Sequence, residues 1–148
     1  MRVRVRIATT EDAEWIMGGI REMANEQPYF SCLFDEDEAP RILNEVLLQG
    51  FSIVAEDVEQ ERLGFILGTI TPHLFNPKLK LYSHQQWWVD PKHRNGFVTH
   101  SLFTAFVRIG RKCADMVTLS LRDDVNIKAG TLKKYGFERH DKCYIMFK

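Results

Sequence analysis

The sequence predicts an α/β (α+β) domain built on one mixed sheet, and three observations predict it. Segments with apolar residues at period two interleave with segments at helical spacing. The resulting order, β-α-α-β-β-β-α-β-α-β-β, places helices between strands in the way that covers a sheet. The length, 148 residues, suits a single domain spanning 1–148. A chain of that size buries roughly 70% of its unfolded surface, enough for a core without metal or disulfide staples.

Each element has its own signal. Arg2 to Ala8 is a strand, with Val3, Val5 and Ile7 on one side and arginines on the other. Thr9-Thr10 followed by Glu11 and Asp12 is a helix start, with acid at the positive end of the dipole. Ala13, Ile16, Met17, Ile20, Met23 and Ala24 then form an amphipathic stripe, and Pro28 closes the region. After an aromatic stretch from Tyr29 to Phe34 and an acidic run from Asp35 to Glu38, Ile42, Leu43, Val46 and Leu47 form a second stripe that Gly50 stops.

Phe51–Glu56 and Leu63–Thr71 are expected as a hairpin around a polar turn, and Pro72–Lys78 as a loop. Leu79–Val89 is a long aromatic central strand, followed by the polar turn Asp90–Gly96. Val98, Leu102, Ala105, Phe106, Ile109 and Cys113 make the clearest helical stripe of the chain. Met116–Leu121 is a short strand, Arg122–Asn126 a loop, and a helix of roughly ten residues ends at Gly136. Phe137–Lys148 suggests two short strands around a turn near Asp141-Lys142.

Composition excludes several functions. Lys+Arg and Asp+Glu are tied at 20 each, which argues against a nucleic-acid or other polyanion binder while leaving room for one local phosphate site. No apolar run approaches the ~18 residues of a membrane span. Met1–Ile7 alternates Arg with Val or Ile and lacks the apolar core of a signal peptide. Cys32, Cys113 and Cys143 are odd in number and widely spaced, and the five His are scattered, so no disulfide framework and no metal site is expected. A reduced, cytoplasmic protein is the expectation.

The stretch Trp87 to Leu102 carries the chemistry. A buried strand runs into a short polar turn, and an amphipathic helix begins at once. First-turn amides of a helix have no intrahelical partner and sit at its positive end, so such a start can hold a phosphate. Lys92, His93 and Arg94 add local positive charge. Taken alone, the same residues also describe an ordinary strand-turn-helix with a solvated basic turn.

A strand, Val89-Asp90-Pro91-x-x-Arg94, a turn and an amphipathic helix resemble the acyl-CoA-binding segment of the GNAT (GCN5-related) N-acetyltransferases. Asn126 to Phe137, with Lys133-Lys134-Tyr135-Gly136-Phe137, is similar to that family's later helix and closing signature. The resemblance implies a mixed, mostly antiparallel sheet splayed at the strand ending in Val89. It also implies acetyl-CoA as co-substrate and an amine of a small molecule or protein as acceptor, with a homodimer compatible. Arg94, Asn95, Gly96, Phe97, Val98, Thr99 and His100 would hold the pyrophosphate, and the backbone around Trp88 and Val89 would polarise the thioester carbonyl.

Two departures stand out. Where the family's loop reads Arg/Gln-x-x-Gly-x-Gly/Ala, this chain has Phe97 and Thr99 at the small positions, with Gly96 one place early. Phe97 is expected to crowd the pyrophosphate unless it turns into the core. Where many members carry a proton-donating Tyr, this chain has Leu132, with Tyr135 nearby as the substitute acid. The family's Asn falls on Val125 or, one register on, Asn126, a CoA contact.

His84, on the central strand, is the base candidate, since an imidazole with an ordinary pKa of about 6.5 suits the task. Gln85 and Gln86 share that strand, and Trp87 and Trp88 point to opposite faces, one of them into the core. The acidic run 35–38 would suit a cationic amine, or simply be solvated. Cys113 and Cys143 read as small buried residues rather than nucleophiles. The departures also motivate a second reading, a domain that keeps the fold without the chemistry and acts as a CoA-binding or structural module.

Overall fold

The computed structural model describes residues 2–27, 34–121, 127–142, 144 and 146. Among the described residues, five strands form one sheet in the order β1-β2-β3-β4-β5. They are β1 (Arg4–Ile7), β2 (Ile53–Glu56), β3 (Arg62–His73), β4 (Asn76–Val89) and β5 (Met116–Thr118). The first three junctions are antiparallel and β4–β5 is parallel, so the sheet is mixed and mostly antiparallel. The helices are α1 (Ala13–Glu26), α2 (Ala39–Leu48), α3 (Phe97–Cys113) and α4 (Ala129–Lys134).

The chain enters the first helical region through Asp12. Its carboxylate accepts the Thr9 N–H at 2.9 Å, which satisfies a donor the helix cannot. The same carboxylate, 1% exposed, holds Arg6 through two bonds of 2.8 and 2.9 Å and Arg62 through one of 2.8 Å. Arg6 also bonds Glu56 at 2.8 Å, so β1, β2, β3 and the start of α1 are pinned by one ionic cluster. Burial alone would raise the Asp12 pKa, but Arg6, the Thr9 amide and Arg62 together bring it down to about 2.

Two cores lie on opposite faces of the sheet. One packs α1 and α2 against Val54, Phe65, Leu67 and Trp88. The other packs α3, through Val98, Leu102, Ala105 and Phe106, against Ile53, Ile66, Tyr82 and Val89. The stripe read from the sequence is therefore the buried face of α3. Tyr82 stacks on Phe106 with ring centroids 4.4 Å apart and donates its hydroxyl to the Phe51 carbonyl at 2.7 Å. Gly68 sits beneath it, where an added Cβ would lie 2.6 Å from both the Tyr82 ring and the Phe51 oxygen.

The β3–β4 register contains one extra residue. Leu67 pairs with Gln86 and Gly68 with His84, so Gln85 is a bulge. The bulge reverses the side-chain alternation of β4. Tyr82 and His84 therefore share the α3 face with Trp87 and Val89, while Trp88 turns to α1.

Several expected boundaries differ. Pro72–Lys78 is not a loop: β3 and β4 run on to a turn at Leu74-Phe75, because two antiparallel strands complete each other's ladder even where both carry a proline. Met116–Leu121 is strand only to Thr118, since β5 pairs β4 only over Leu81–Ser83 and the two then part. The last helix has six residues rather than ten. The described residues of 137–148 form no strand; Glu138 to Lys142 are all exposed, so no apolar face drives pairing there. Tyr29, Phe30, Cys32, Asn126 and Cys143 lie outside the described residues.

Candidate functional site

The parting of β4 and β5 opens a cavity of about 670 Å³. Trp87, Trp88 and Val89 form its floor. Arg94, Asn95, Gly96, Thr99, His100 and Phe103 form the wall from the turn into α3. Met23 and Glu26 close it from the end of α1, and Ile127, Lys128 and Thr131 from the start of α4.

The turn is built by local bonds. Asp90 accepts the Lys92 N–H at 2.9 Å on its side chain and the His93 N–H at 2.8 Å on its carbonyl. Pro91 opens a short 3-10 turn, for which its fixed φ is suited. Gly96 then takes φ +87°, a left-handed conformation that disfavours any side chain, and nothing lies within 4 Å of where a Cβ would stand. Asn95 Oδ1 accepts the Phe97 N–H at 3.2 Å, and the first bond into the helix is His100 N–H to the Gly96 carbonyl at 2.9 Å. Gly96, lacking a side chain, caps none of the first-turn amides, so those of Val98 and Thr99 have no intrahelical partner.

The floor has a polarity of its own. The Asp90 N–H bonds back to the Leu63 carbonyl of β3, while the Val89 carbonyl accepts Arg94 Nε at 2.9 Å on the other edge. In a pleated strand the N–H and C=O of one residue share an edge. The Val89 N–H therefore points away from β3, as does that of Trp87, on the edge where among the described residues β5 no longer pairs.

Most residues expected from the sequence meet here: Trp88, Val89, Arg94, Asn95, Gly96, Thr99 and His100 line the cavity. Phe97 does not. It is 66% exposed and points away from both cavity and core, so the expected crowding is absent; the turn at Gly96 directs it to solvent. Val98 is fully buried in the core beneath and can offer only its backbone. Arg94 is not a free cation, because Nη2 bonds Glu26 Oε1 at 2.8 Å. Asn126 lies outside the described residues.

His84 and Tyr135 are not among the cavity walls. His84 stands where β4 and β5 part, edge-on to Phe106 with centroids 6.3 Å apart and with Nδ1 3.5 Å from the Ser120 N–H. Its burial pushes the imidazole pKa below the ordinary 6.5. Tyr135 is the residue that ends α4, and its ring packs edge-on against Phe103 at 5.0 Å with the Arg111 guanidinium 5.9 Å above it. That packing holds it beside a second groove along α3, lined also by Thr104, Arg108 and Lys112. The expected hydroxyl in the main cavity is thus displaced by the register of α4, which turns Thr131 inward instead.

Glu26, Lys128 and Thr131 are site residues the sequence reading missed. Glu26 continues the α1 stripe one turn beyond Met23, which was a legible signal; Lys128 and Thr131 depend on a helix register that was not. The acidic run is largely spent elsewhere: Glu36 holds Arg21 at 3.0 Å and Glu38 holds Arg41 at 2.7 Å. Among the described residues no group of three His, Cys, Asp or Glu could hold a metal ion, and no helix is long and apolar enough to cross a membrane.

The arrangement defines a class: a mixed-sheet α+β fold with a ligand-sized cavity between a parted strand pair and a helix N-terminus. Comparison with solved structures identifies it as the GNAT acetyltransferase fold. The chain is similar to a possible acetyltransferase from Clostridium difficile 630 (TM-score 0.72, 18% identity, covering 100% of this chain and 98% of that one). It is similar to a GNAT-family acetyltransferase from Listeria monocytogenes 4b F2365 (0.67, 14%, 95% and 89%). It also resembles a predicted acetyltransferase with acetyl-CoA from Clostridium acetobutylicum (0.65, 16%, 99% and 96%). No family model matches the sequence, and no curated protein does.

Proposed function

We propose that the protein is an acetyl-CoA-dependent N-acetyltransferase acting on a primary amine of a small molecule or protein. The observation that carries this is the cavity of about 670 Å³ at the N-terminus of α3, within the usual size of ligand sites. Acetyl-CoA fits its donors. Uncapped amides at a helix start suit a pyrophosphate, the open space at Gly96 lets that group approach the backbone, and Trp87, Trp88 and Phe103 give an apolar wall for the pantetheine arm.

When bound, the thioester would supply the acyl group, its C–S bond breaking as the C–N bond forms and the released thiolate taking a proton from solvent. The protein's part is to place and polarise it. Asn95, Gly96 and the Val98 and Thr99 amides hold the phosphates, with Lys128 as the nearby cation and the His100 ring on the same wall. The Val89 N–H, on the edge away from β3, is the donor for the carbonyl oxygen. His84 is the base. It lies three residues from Trp87, at most about 10 Å along an extended strand, so a water carries the proton from the amine. Its depressed pKa keeps it neutral at pH 7, and Nδ1, 3.5 Å from the Ser120 N–H, is then the nitrogen whose lone pair takes the proton.

The placement of Tyr135 favours the second reading, a GNAT fold that binds CoA without chemistry. Calorimetry with acetyl-CoA, followed by thiol release across a panel of amines, decides between them. Saturable binding and a turnover abolished in His84→Ala support the enzyme; absence of binding at millimolar acetyl-CoA refutes the enzyme and the CoA-binding module and leaves a structural or interaction module.

A further inference from the structure

Arg94 is the one cation of the basic turn that lines the cavity, and the structure ties it down twice. Nε bonds the Val89 carbonyl at 2.9 Å and Nη2 bonds Glu26 Oε1 at 2.8 Å. The first bond alone is enough to fix the turn against the end of β4. The second reaches across the cavity to a residue 68 positions earlier in the chain.

Glu26 is oddly placed for a helix residue. It is the final residue of α1, whose last turn carries no basic side chain. A carboxylate there faces the negative end of the helix dipole, so helix electrostatics oppose it. Its ion pair with Arg94 offsets that cost, and both side chains remain partly exposed on the cavity wall. An incoming pyrophosphate therefore meets a carboxylate, and the guanidinium best placed to neutralise it is already neutralised.

We infer that Glu26 is a built-in competitor for the anion site: its carboxylate holds Arg94 away from the ligand phosphates and gives it up when they bind. This rests on the CoA-binding reading above and names the residue that tunes it. A weak hold on CoA at this site is then set by Glu26 rather than by Phe97, which faces solvent.

The test is calorimetry with CoA on four proteins: wild type, Glu26→Gln, Arg94→Gln and the double variant. Glu26→Gln is expected to bind CoA roughly fivefold more tightly, the size of a partly exposed ion pair. In the Arg94→Gln background the same change is expected to gain less than twofold, because no guanidinium is released. Thermal melts confirm folding; Glu26→Ala, favoured by helix propensity, replaces Glu26→Gln if that variant fails to fold, and Arg94→Lys replaces Arg94→Gln, with the smaller, strongly hydrated ammonium expected to keep only part of the gain. Wild-type binding with equal or weaker binding by Glu26→Gln overturns this inference alone, as does a gain that persists undiminished without Arg94. No binding by any of the four overturns the CoA reading and this inference with it.

Discussion

Replacing Asp12 by Asn should remove about 2 kcal/mol of stability at pH 7, and the structure gives that figure by two routes. Asp12 is 1% exposed and accepts bonds from Arg6, Arg62 and the Thr9 amide. Its pKa, held at about 2 against an ordinary 3.8, means that the folded chain favours the ionised carboxyl by about 2 kcal/mol. Breaking a fully buried ion pair costs about 3–5 kcal/mol. Both arginines here keep some contact with water, at 29% and 35% exposed, which places the loss below that range. For a domain of this size the loss lowers Tm by about 4–8 °C. The sign is fixed by linkage. A depressed carboxyl pKa contributes stability that is present above the unfolded value of 3.8 and is lost as the pH falls toward 2. Urea unfolding of wild type and Asp12→Asn, at pH 7 and at steps down to pH 2.5, reads this directly. The gap between the two proteins should be about 2 kcal/mol at neutral pH and should narrow steadily below pH 4. A gap under about 0.5 kcal/mol at pH 7, the size of an ordinary surface change, refutes the reasoning, as does a gap that does not change with pH.

Phe97→Ala should leave CoA affinity within about twofold of wild type and stability within about 0.5 kcal/mol, because the side chain faces solvent; calorimetry showing a large gain in affinity would mean that the ring does obstruct the site. Tyr135→Phe should leave turnover within about twofold, since the ring packs on Phe103 and the hydroxyl is not in the cavity; a hundredfold fall in kcat would restore Tyr135 as the acid. His84 should titrate below pH 6.5 in an NMR titration assigned with His84→Gln, because burial favours the neutral ring. A midpoint at or above 6.5 contradicts its burial. The unfolded chain takes up this proton first, so His84 also costs stability as the pH falls below 6.5.

The parts of the fold that were legible are those set by local pattern. Val98, Leu102, Ala105 and Phe106 recur at helical spacing, and all four are buried against the sheet. The turn from Val89 to Gly96 was legible because strand, Asp-Pro and glycine each constrain the backbone in sequence order. The parts that were not legible depend on residues far apart. Pro72 and Pro77 suggest a loop in isolation, yet they lie in two strands that pair with each other. Glu26 meets Arg94 only once α1 has packed beside the end of β4. Tyr135 follows Leu132 in an apparently helical run, but the helix is only six residues long, and a short helix has no stripe to fix which side chain faces the site.

The bulge at Gln85 connects fold and site more directly than any motif residue, and it has no sequence signature. Without the extra residue, regular alternation would carry the α3 face from Tyr82 and His84 to Gln86 and Trp88. Trp88 would then leave the aromatic cluster it forms with Trp15 and Phe65, at 5.7 Å from each, and the polar Gln86 would enter the core beside Phe103. With the bulge, Trp87 stacks parallel to Phe103 at 6.5 Å and forms the floor, while Trp88 anchors α1 from the opposite face. The same reversal sets the backbone edges. It turns the Val89 N–H and C=O to the edge away from β3, where the carbonyl accepts Arg94 Nε. β5 ends after three residues, and its pairing with β4 stops at Ser83, well short of Val89. A β5 that ran on beside Trp87 to Val89 would take up that edge of β4 in a ladder, the edge that among the described residues lines the cavity.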